Sequence, residues 1–363
     1  MTSRLKQWNL LSSEVKVTYQ RKRQLTFSTY FTLREGICYC HDITALFEAI
    51  GIPCTTTDWR MFVDSSQRSL KAVLLHNGNA HPSIPIAHSV ILKERYENVK
   101  KLLDLIKYED YGWEVIDDFK MLAFFMGLQS GWTKYPCYLC LWDSRASRVH
   151  YQQFQWPERD EYLVGRHNVL HEPLVDPEKV LMPPLHIKLG LIKQFVKALD
   201  VQSQAFNFLE GYYPELSSAK IKAGIFVGPQ TKKLMASQEF FNLLTRIEKK
   251  AWNSFKAVVH NFLGNSKAEN HVELITDLIT NCSAMGCNMS LKLHMLASHL
   301  DKFKSNLGAY YEEHGERFHQ DIKNFERRFQ GQYNENMMGD YLWNLVRDSN
   351  EDYSWKTRKN LHF

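Results

Sequence analysis

The stretch Asp58-Trp-Arg-Met-Phe-Val-Asp64 decides the predicted fold, because it is a short apolar run that ends in a carboxylate. After a turn, residues 70–75 form a second apolar run, and residues 84–92 form a third. Apolar residues then recur at helical spacing over 93–108, and a fourth run over 113–118 again ends in acid. We therefore predict an α/β unit of three neighbouring strands, a helix and another strand, with acidic residues at two strand ends.

The remainder of the chain is predicted to be mostly helical. Pro183-Pro184 opens a helix that runs to about residue 200 with one apolar face. Residues 42–50 also have helical spacing, which Gly51 and Pro53 end. Further helices are predicted at about 202–210, 217–223, 237–263, 267–281, 291–299 and 309–329. No internal repeat or low-complexity tract separates these segments, so any domain boundary must be a loop or an insertion.

The composition excludes several classes of protein. Hydrophobic residues are 44% and charged residues 23% of the 363 residues, which is typical of globular chains and excludes disordered and fibrous classes. No apolar run approaches the ~18 residues of a membrane span, and no apolar stretch follows Arg4 and Lys6, so no secretory signal is predicted. Seven cysteines, an odd number, favour a reducing compartment over a disulfide framework. The net charge of +5 is compatible with a nucleic-acid partner but does not require one.

Carboxylates at the strand ends form the first candidate site. Asp64 ends one predicted strand, and Asp117 and Asp118 end another. A third acidic group opens the late helix: Glu312, Glu313 and Glu316. Carboxylates suit Mg²⁺ or Mn²⁺, and three of them together can hold two ions about 4 Å apart, which stabilises both the attacking and the leaving oxygen of a phosphoryl transfer. Acids also commonly flank strands and begin helices, so their spacing alone leaves both interpretations open.

Periodicity restricts which acids can share one site. Adjacent residues on a strand face opposite sides, so Asp117 and Asp118 cannot both point into it, and the pattern does not choose between them. Glu313 and Glu316 are three positions apart on a helix and share a face, so both stay candidates.

Cysteines and histidines form a second candidate site. Cys137-Tyr-Leu-Cys140 is a Cys-x-x-Cys motif, and His294-Met-Leu-Ala-Ser-His299 carries two histidines on a predicted helix. Two thiolates and two imidazoles make a tetrahedral structural Zn²⁺ site. Histidines at i and i+5 lie about 140° apart around a helix, so binding one ion requires local unwinding. Competing ligands, which the spacing leaves open, are His150, His167, His171, His186 and the pair Cys282 and Cys287.

The order of these motifs resembles the catalytic core of Transib-type DDE transposases and of the catalytic subunit of the V(D)J recombinase. In that family an RNase H-like fold carries the first aspartate at the end of its first strand, which is Asp64 here. The second aspartate precedes a Cys-x-x-Cys motif at the distance that Asp118 has from Cys137, so the resemblance selects Asp118 over Asp117. The later acid of the pair Glu313 and Glu316 matches the family's catalytic glutamate.

Further short sequence motifs extend the resemblance over about residues 58–345. They are Cys140-Leu-Trp-Asp-Ser-Arg145, Leu185-His-Ile-Lys-Leu-Gly190, Lys233-Leu-Met235, the two histidines His294 and His299, Gly308-Ala-Tyr310 and Arg327-Arg328-Phe329. In the family these histidines complete a Cys₂His₂ zinc site with the two cysteines, so the resemblance assigns zinc to Cys137, Cys140, His294 and His299.

The resemblance implies an RNase H-like α/β domain interrupted by a large, mostly helical, zinc-stapled insertion. The implied segments are an N-terminal remnant or DNA-contacting segment (1–57), the first part of the core (58–136), the insertion (137–299), the catalytic helix (300–345) and a polar tail (346–363). The 57 leading residues leave no room for the DNA-end-binding and dimerisation modules that family members carry upstream.

The implied function is two-metal cleavage and strand transfer of DNA phosphodiesters. Asp64 is expected to bridge two Mg²⁺ or Mn²⁺ ions, with Asp118 on one and Glu316 on the other. The expected partners are transposon ends and target DNA, with a homodimer as the active form and the nucleus as its location. The alternative from a different class is an inactive or domesticated, transposase-derived protein that binds DNA without cutting it.

Overall fold

The computed structural model describes residues 23–65 and 69–350, except for the side chains of Glu316 and residues 348–350. Its centre is a six-stranded sheet in the order β1-β2-β5-β4-β3-β6. The strands are β1 Phe31–Arg34, β2 Ile37–Cys40, β3 Trp59–Ser65, β4 Leu70–His76, β5 Ile84–Ser89 and β6 Glu114–Val115. All neighbours are antiparallel except β3 and β6, which are parallel. The sheet is therefore mixed.

The predicted strands after Asp58 are confirmed, and a further chain segment joins them. Val180 forms a parallel bridge with Val115, and the Leu181 amide donates to the Val115 carbonyl at 2.8 Å. The fourth predicted strand is shorter than expected, because only Glu114 and Val115 pair with β3. The central order is thus β5-β4-β3-β6, with residue 180 beyond β6.

Strands β1 and β2 were not predicted, although their turn has a sequence signal. Glu35 and Gly36 both have positive φ, 52° and 81°, as a tight hairpin turn requires. β2 pairs with β5, so residues 31–40 of the predicted N-terminal segment extend the same sheet. Residues 1–22 of that segment and residues 351–363 of the predicted polar tail lie outside the described residues.

The described chain has three groups of α-helices. Five lie among the strands before residue 126, eight lie between residues 184 and 298, and two follow residue 298. The first group is α1 Leu25–Ser28, α2 Ile43–Ile50, α3 Tyr96–Leu105, α4 Tyr108–Tyr111 and α5 Phe119–Phe125. The second is α6 Pro184–Ala198, α7 Gln204–Tyr212, α8 Ser218–Lys222, α9 Gly228–Met235, α10 Gln238–Leu243, α11 Arg246–Asn261, α12 His271–Met285 and α13 Leu291–Ser298. The last are α14 Glu313–Phe329 and α15 Glu335–Asn350.

Local capping explains where the helices differ from expectation. The predicted helix 237–263 is two helices, because Thr245 begins a new one with a capping box to Glu248. The end of α2 at Gly51 is as predicted, since this glycine has a φ of 74°. Helices α1, α4, α5, α9 and α15 were not predicted. No described helix is long and apolar enough to cross a membrane.

Helix α14 packs on the sheet at two points. A Cβ at Gly315 would overlap the Phe62 ring, so the absence of a side chain lets the helix approach β3 closely. Further along, Glu326 accepts from the Lys71 ammonium at 3.0 Å and meets the His88 ring at 2.9 Å. Burial opposes ionisation of Glu326, but these two partners outweigh it and lower its pKa to about 2.

The helices between 184 and 298 have an aromatic core of their own. Trp252 of α11 is fully buried and lies 4.9 Å from the Phe195 ring of α6 and 5.2 Å from the Phe240 ring of α10. These rings bury large apolar areas where α6, α10 and α11 meet. This packing holds α6 in place, and α6 begins close to the acidic residues described next.

Candidate active site and metal centre

Three aspartates meet at one edge of the sheet, which we call the acid edge (Asp64, Asp117 and Asp118). Asp64 lies at the end of β3, and Asp117 and Asp118 follow its parallel neighbour β6. Carboxyl ends of parallel strands lie at the same edge. The Val63 amide donates to Oδ2 of Asp117 at 2.7 Å, so the second acidic pair lies directly beside the end of β3.

Asp117 and Asp118 have different surroundings. Asp117 is only 3% exposed, and its carboxyl group accepts from the amides of Val63 and Asp118. Burial raises the pKa of Asp117 well above its ordinary value, and the charges of Asp118 and Asp64 add to this. Asp118 is half-buried and begins α5, where its Oδ1 accepts from the amides of Lys120 and Met121 at 2.8 and 2.7 Å. Asp117 therefore ties β6 to β3, whereas Asp118 offers a more accessible carboxylate.

His319 of α14 contacts the acid edge and was not predicted from the sequence. Its Nδ1 is bonded to Oδ2 of Asp64, and the side chains are 21% and 16% exposed. One signal was present, because His319 is three positions after Glu316 and so shares a helix face with it. Glu316 belongs to α14, but its side chain lies outside the described residues.

The other acids at the start of α14 differ in exposure. Glu313 is exposed, whereas Glu312 is fully buried. Oε1 of Glu312 accepts from the His186 amide at 2.9 Å and lies 3.1 Å from Nδ1 of the same histidine. Its Oε2 has no hydrogen-bond partner among the described residues. Glu312 thus joins α14 to the first turn of α6.

Four residues form the Cys–His cluster: Cys137, Cys140, His294 and His299. One ligand atom from each lies within 4.8 Å of all the others, and no other group of three or more such residues meets this condition within the described chain. The aspartates of the acid edge therefore do not converge to that degree among themselves. The two cysteines precede α6, whereas His294 lies in α13 and His299 directly follows it. The cluster therefore joins the region before α6 to α13.

The geometry of the cluster fits a tetrahedral ion. The Cys140 sulfur lies 3.3 Å from Nε2 of both His294 and His299, and the Cys137 sulfur lies 3.5 Å from Nε2 of His299. Ligands at about 2.0–2.3 Å around one Zn²⁺ have sulfur–nitrogen separations of this size. The set could therefore bind a structural metal such as zinc.

Neighbouring groups orient the histidines. Ser298 Oγ lies 3.2 Å from Nδ1 of His294, which directs Nε2 towards the sulfurs, and Trp142 stacks on the same ring with centroids 4.7 Å apart. Helix α13 ends at Ser298, and His299 has a non-helical φ of −131°. This is the local unwinding that the i, i+5 spacing required, so that prediction is confirmed.

The two thiols of the cluster differ, because burial raises the pKa of Cys137 well above its ordinary value, whereas the thiolate form of Cys140, the form that binds metals, is favoured. A hydrogen bond from the Cys137 thiol, with bonds to His294 and His299, lowers the pKa of Cys140. The competing ligands are engaged elsewhere: His150 with the Asp143 carbonyl at 2.8 Å, and His186 with Glu312. His167 and His171 pack against tyrosine rings.

Comparison with known proteins finds two family models on this chain. One, described as a domain of unknown function (DUF8703), matches residues 19–175, and another, also described as a domain of unknown function (DUF8704), matches residues 184–264. No curated protein matches the chain. The first match includes the sheet, the acid edge and both cysteines, and the second includes α6 to α11. The boundary between the matches coincides with the start of α6, whereas both histidines of the Cys–His cluster lie beyond them.

Proposed function

We propose that this chain is a transposase-derived catalytic core of the DDE type, which cuts and joins DNA phosphodiesters with two divalent ions. The observation that carries the proposal is the acid edge, where the ends of parallel strands β3 and β6 bring Asp64 beside Asp117 and Asp118. Helix α14, which carries Glu316, packs on β3 and reaches Asp64 through His319.

The sheet order supports an RNase H-like assignment. Such a fold has three antiparallel strands whose first member pairs in parallel with a fourth, and this is the relation among β3, β4, β5 and β6. The bridge between Val115 and Val180 has the position of a fifth parallel strand. The helices from α6 to α13 would then be an insertion before the catalytic helix α14.

The donor sets support different ions at the two sites. The acid edge offers only carboxylate oxygens besides His319. Burial raises the pKa of Asp117, and the charges of Asp118 and Asp64 add to this, so a bound cation would relieve the repulsion among the carboxylates. Asp64, Asp118 and Glu316 would hold two Mg²⁺ or Mn²⁺ ions, which when bound supply charge stabilisation to the attacking and leaving oxygens. The Cys–His cluster would hold Zn²⁺, in line with its soft donors.

The chain's own residues have defined tasks under this proposal. Asp117 fixes β6 against β3, and the backbone amides of α5 orient the Asp118 carboxylate. His319 orients Asp64. Water would hydrolyse one phosphodiester to a 3′-hydroxyl and a 5′-phosphate. That 3′-hydroxyl would then attack a second phosphodiester in line, forming a new phosphodiester and releasing the 3′-hydroxyl of the broken bond, without a covalent enzyme intermediate. DNA is the proposed partner, a homodimer the proposed active form and the nucleus the proposed location.

The test is metal-dependent nicking of supercoiled DNA by the full chain. We expect activity in Mn²⁺ or Mg²⁺ that falls by at least about 10³-fold in Asp64→Asn, Asp118→Asn and Glu316→Gln, because each removes a charge that holds an ion. Asp58→Asn is the matched control, since Asp58 is an exposed acid at the opposite end of the same strand. Asp117→Asn is expected to lower stability more than activity, because both its oxygens accept amide protons.

Two outcomes would contradict the proposal. Nicking that survives all three substitutions would exclude the acid edge as the catalytic site. Binding of DNA without any cleavage in Mn²⁺ would instead favour a transposase-derived protein that binds DNA and does not cut it.

A further inference from the structure

Lys292 connects the Cys–His cluster to the acid edge. It lies in the first turn of α13, the helix that also carries His294. Its ammonium is 5.8 Å from the centroid of the Phe119 ring, and Phe119 directly follows Asp118. Asp118 is the carboxylate that acts on Lys292 most strongly, and Lys193 of α6 is a neighbouring cation. The ammonium of Lys292 therefore lies near the start of α5, beside the second acid.

Among the residues that the structure describes, the Lys292 ammonium has no close counter-ion. Over the part of the chain that the structure describes, it makes no hydrogen bond and no ion pair within 4.0 Å. Lys292 is half-buried, so its charge has lost part of its hydration, and among the described residues only the more distant charges of Asp118 and Glu312 offset that loss. An anion bound beside it would restore that loss, and the charge of Lys193 adds to the attraction.

The path of this side chain requires a glycine on α6. A Cβ at Gly190 would overlap Cδ of Lys292, so the lysine crosses α6 where the helix has no side chain. A glycine inside a helix costs about 0.5–1 kcal/mol relative to alanine. The space it leaves is filled by Lys292, so α6 and α13 together are shaped to carry this ammonium to the acid edge.

We propose that Lys292, assisted by Lys193, binds the phosphodiester oxyanion at the bond that the acid edge acts on. The inference rests on the proposed function and names the substrate contact of the same site. The proposed metal ions would neutralise the carboxylates of the acid edge, and the Lys292 ammonium would add a fixed positive charge for the phosphate of a DNA strand that reaches Asp118. The Cys–His cluster fixes His294, and α13 then delivers Lys292 to that position.

The experiment measures binding of a short DNA duplex to the full chain in Ca²⁺, by fluorescence anisotropy at several salt concentrations. For Lys292→Met we expect the magnitude of the slope of log K against log salt to decrease by about 1, because one lysine–phosphate contact is lost. Lys292→Arg should keep the slope, since it keeps the charge. Lys100→Met, at an exposed lysine of α3, is the control and should leave it unchanged.

A second variant separates phosphate contact from folding. Gly190→Ala keeps the lysine but displaces its side chain, because the added Cβ would overlap Lys292 Cδ. We expect a several-fold weaker affinity, and an unchanged zinc content would show that the Cys–His cluster stays intact. An unchanged slope in Lys292→Met together with an unchanged affinity in Gly190→Ala would overturn the inference. If Lys292→Met reduces the slope but the chain never nicks DNA, the phosphate contact of Lys292 is supported. That result would reject only the proposed cleavage activity.

Discussion

The Cys–His cluster and the acid edge are built in opposite ways. The cluster is closed: its four ligand atoms lie within 4.8 Å of one another, and three of the four residues are buried. The acid edge is open, and its carboxylates are separately engaged, Asp64 by His319 and Asp118 by the amides of α5. Structural metal sites use a full ligand shell, whereas catalytic sites leave positions for substrate. The proposed function assigns a stabilising role to the first and a chemical role to the second, and the predictions below test the two assignments separately.

The largest expected effect breaks the closed site. If the cluster holds Zn²⁺ as proposed, Cys140→Ser should abolish stoichiometric Zn²⁺ binding and lower the melting temperature by at least about 10 °C, because the bound ion would join α13 to the region before α6 and contribute its binding free energy to folding. Metal analysis and thermal unfolding measure this. Cys54→Ser, at a half-buried cysteine outside the cluster, should change neither. A fully stable Cys140→Ser protein would show that the cluster carries no structural ion.

The next effect concerns the attachment of α14 to the sheet. Glu326→Gln should lower the free energy of unfolding by roughly 3 kcal/mol, because it leaves Lys71, a buried cation, without its counter-ion. The pKa of Glu326 is about 2 in the folded chain and 4.5 ordinarily. Its stabilisation is therefore present above pH about 4.5 and is lost as pH falls through 2.

Denaturant unfolding between pH 7 and pH 2 checks this dependence. The difference between wild type and Glu326→Gln should shrink as the pH falls below about 4.5. Glu48→Gln, at an exposed acid of α2, should match the wild type throughout. A difference that stays constant with pH would contradict the assigned ion pair.

The smallest effect refines the open site. His319→Gln should reduce metal-dependent nicking by about 10- to 100-fold and weaken Mn²⁺ binding, because Asp64 loses the group that orients it. Mn²⁺ titration followed by electron paramagnetic resonance gives a readout that is separate from activity. His319→Asn is expected to restore part of both, since its amide nitrogen lies near the position of Nδ1. Equal Mn²⁺ affinity in the wild type and both variants would contradict this prediction. It would show that the contact between His319 and Asp64 is a surface ion pair with no role in metal binding.

Much of the fold could be predicted from local pattern. The apolar runs from Asp58 to residue 92 predicted β3 to β5, and Gly51 predicted the end of α2. The turn at Glu35 and Gly36 was missed, although tight hairpins favour glycine there. The pattern also left the pairing of the hairpin open, because a short strand does not specify its neighbour.

Part of the candidate sites could also be predicted. The thiols and imidazoles of the Cys–His cluster were recognised by type, and the order of the acids identified Asp64 and Asp118 as candidates. His319, which contacts Asp64, and Lys292, which lies near Asp118, were missed, because both come close to the acid edge only through folding. His319 is 255 residues from Asp64 in the chain, and no periodicity relates positions so far apart.

The sequence by itself determined which residue types were present and how each local segment would fold, because spacing and capping act within a few residues. Spacing left open which histidines meet Cys137 and Cys140, and the tertiary structure brings His294 and His299 there, as the resemblance implied. Only the tertiary structure decided that Asp117 is buried while Asp118 is more accessible. Burial and long-range contact depend on how distant segments pack, and the charge environment of a side chain follows from that packing.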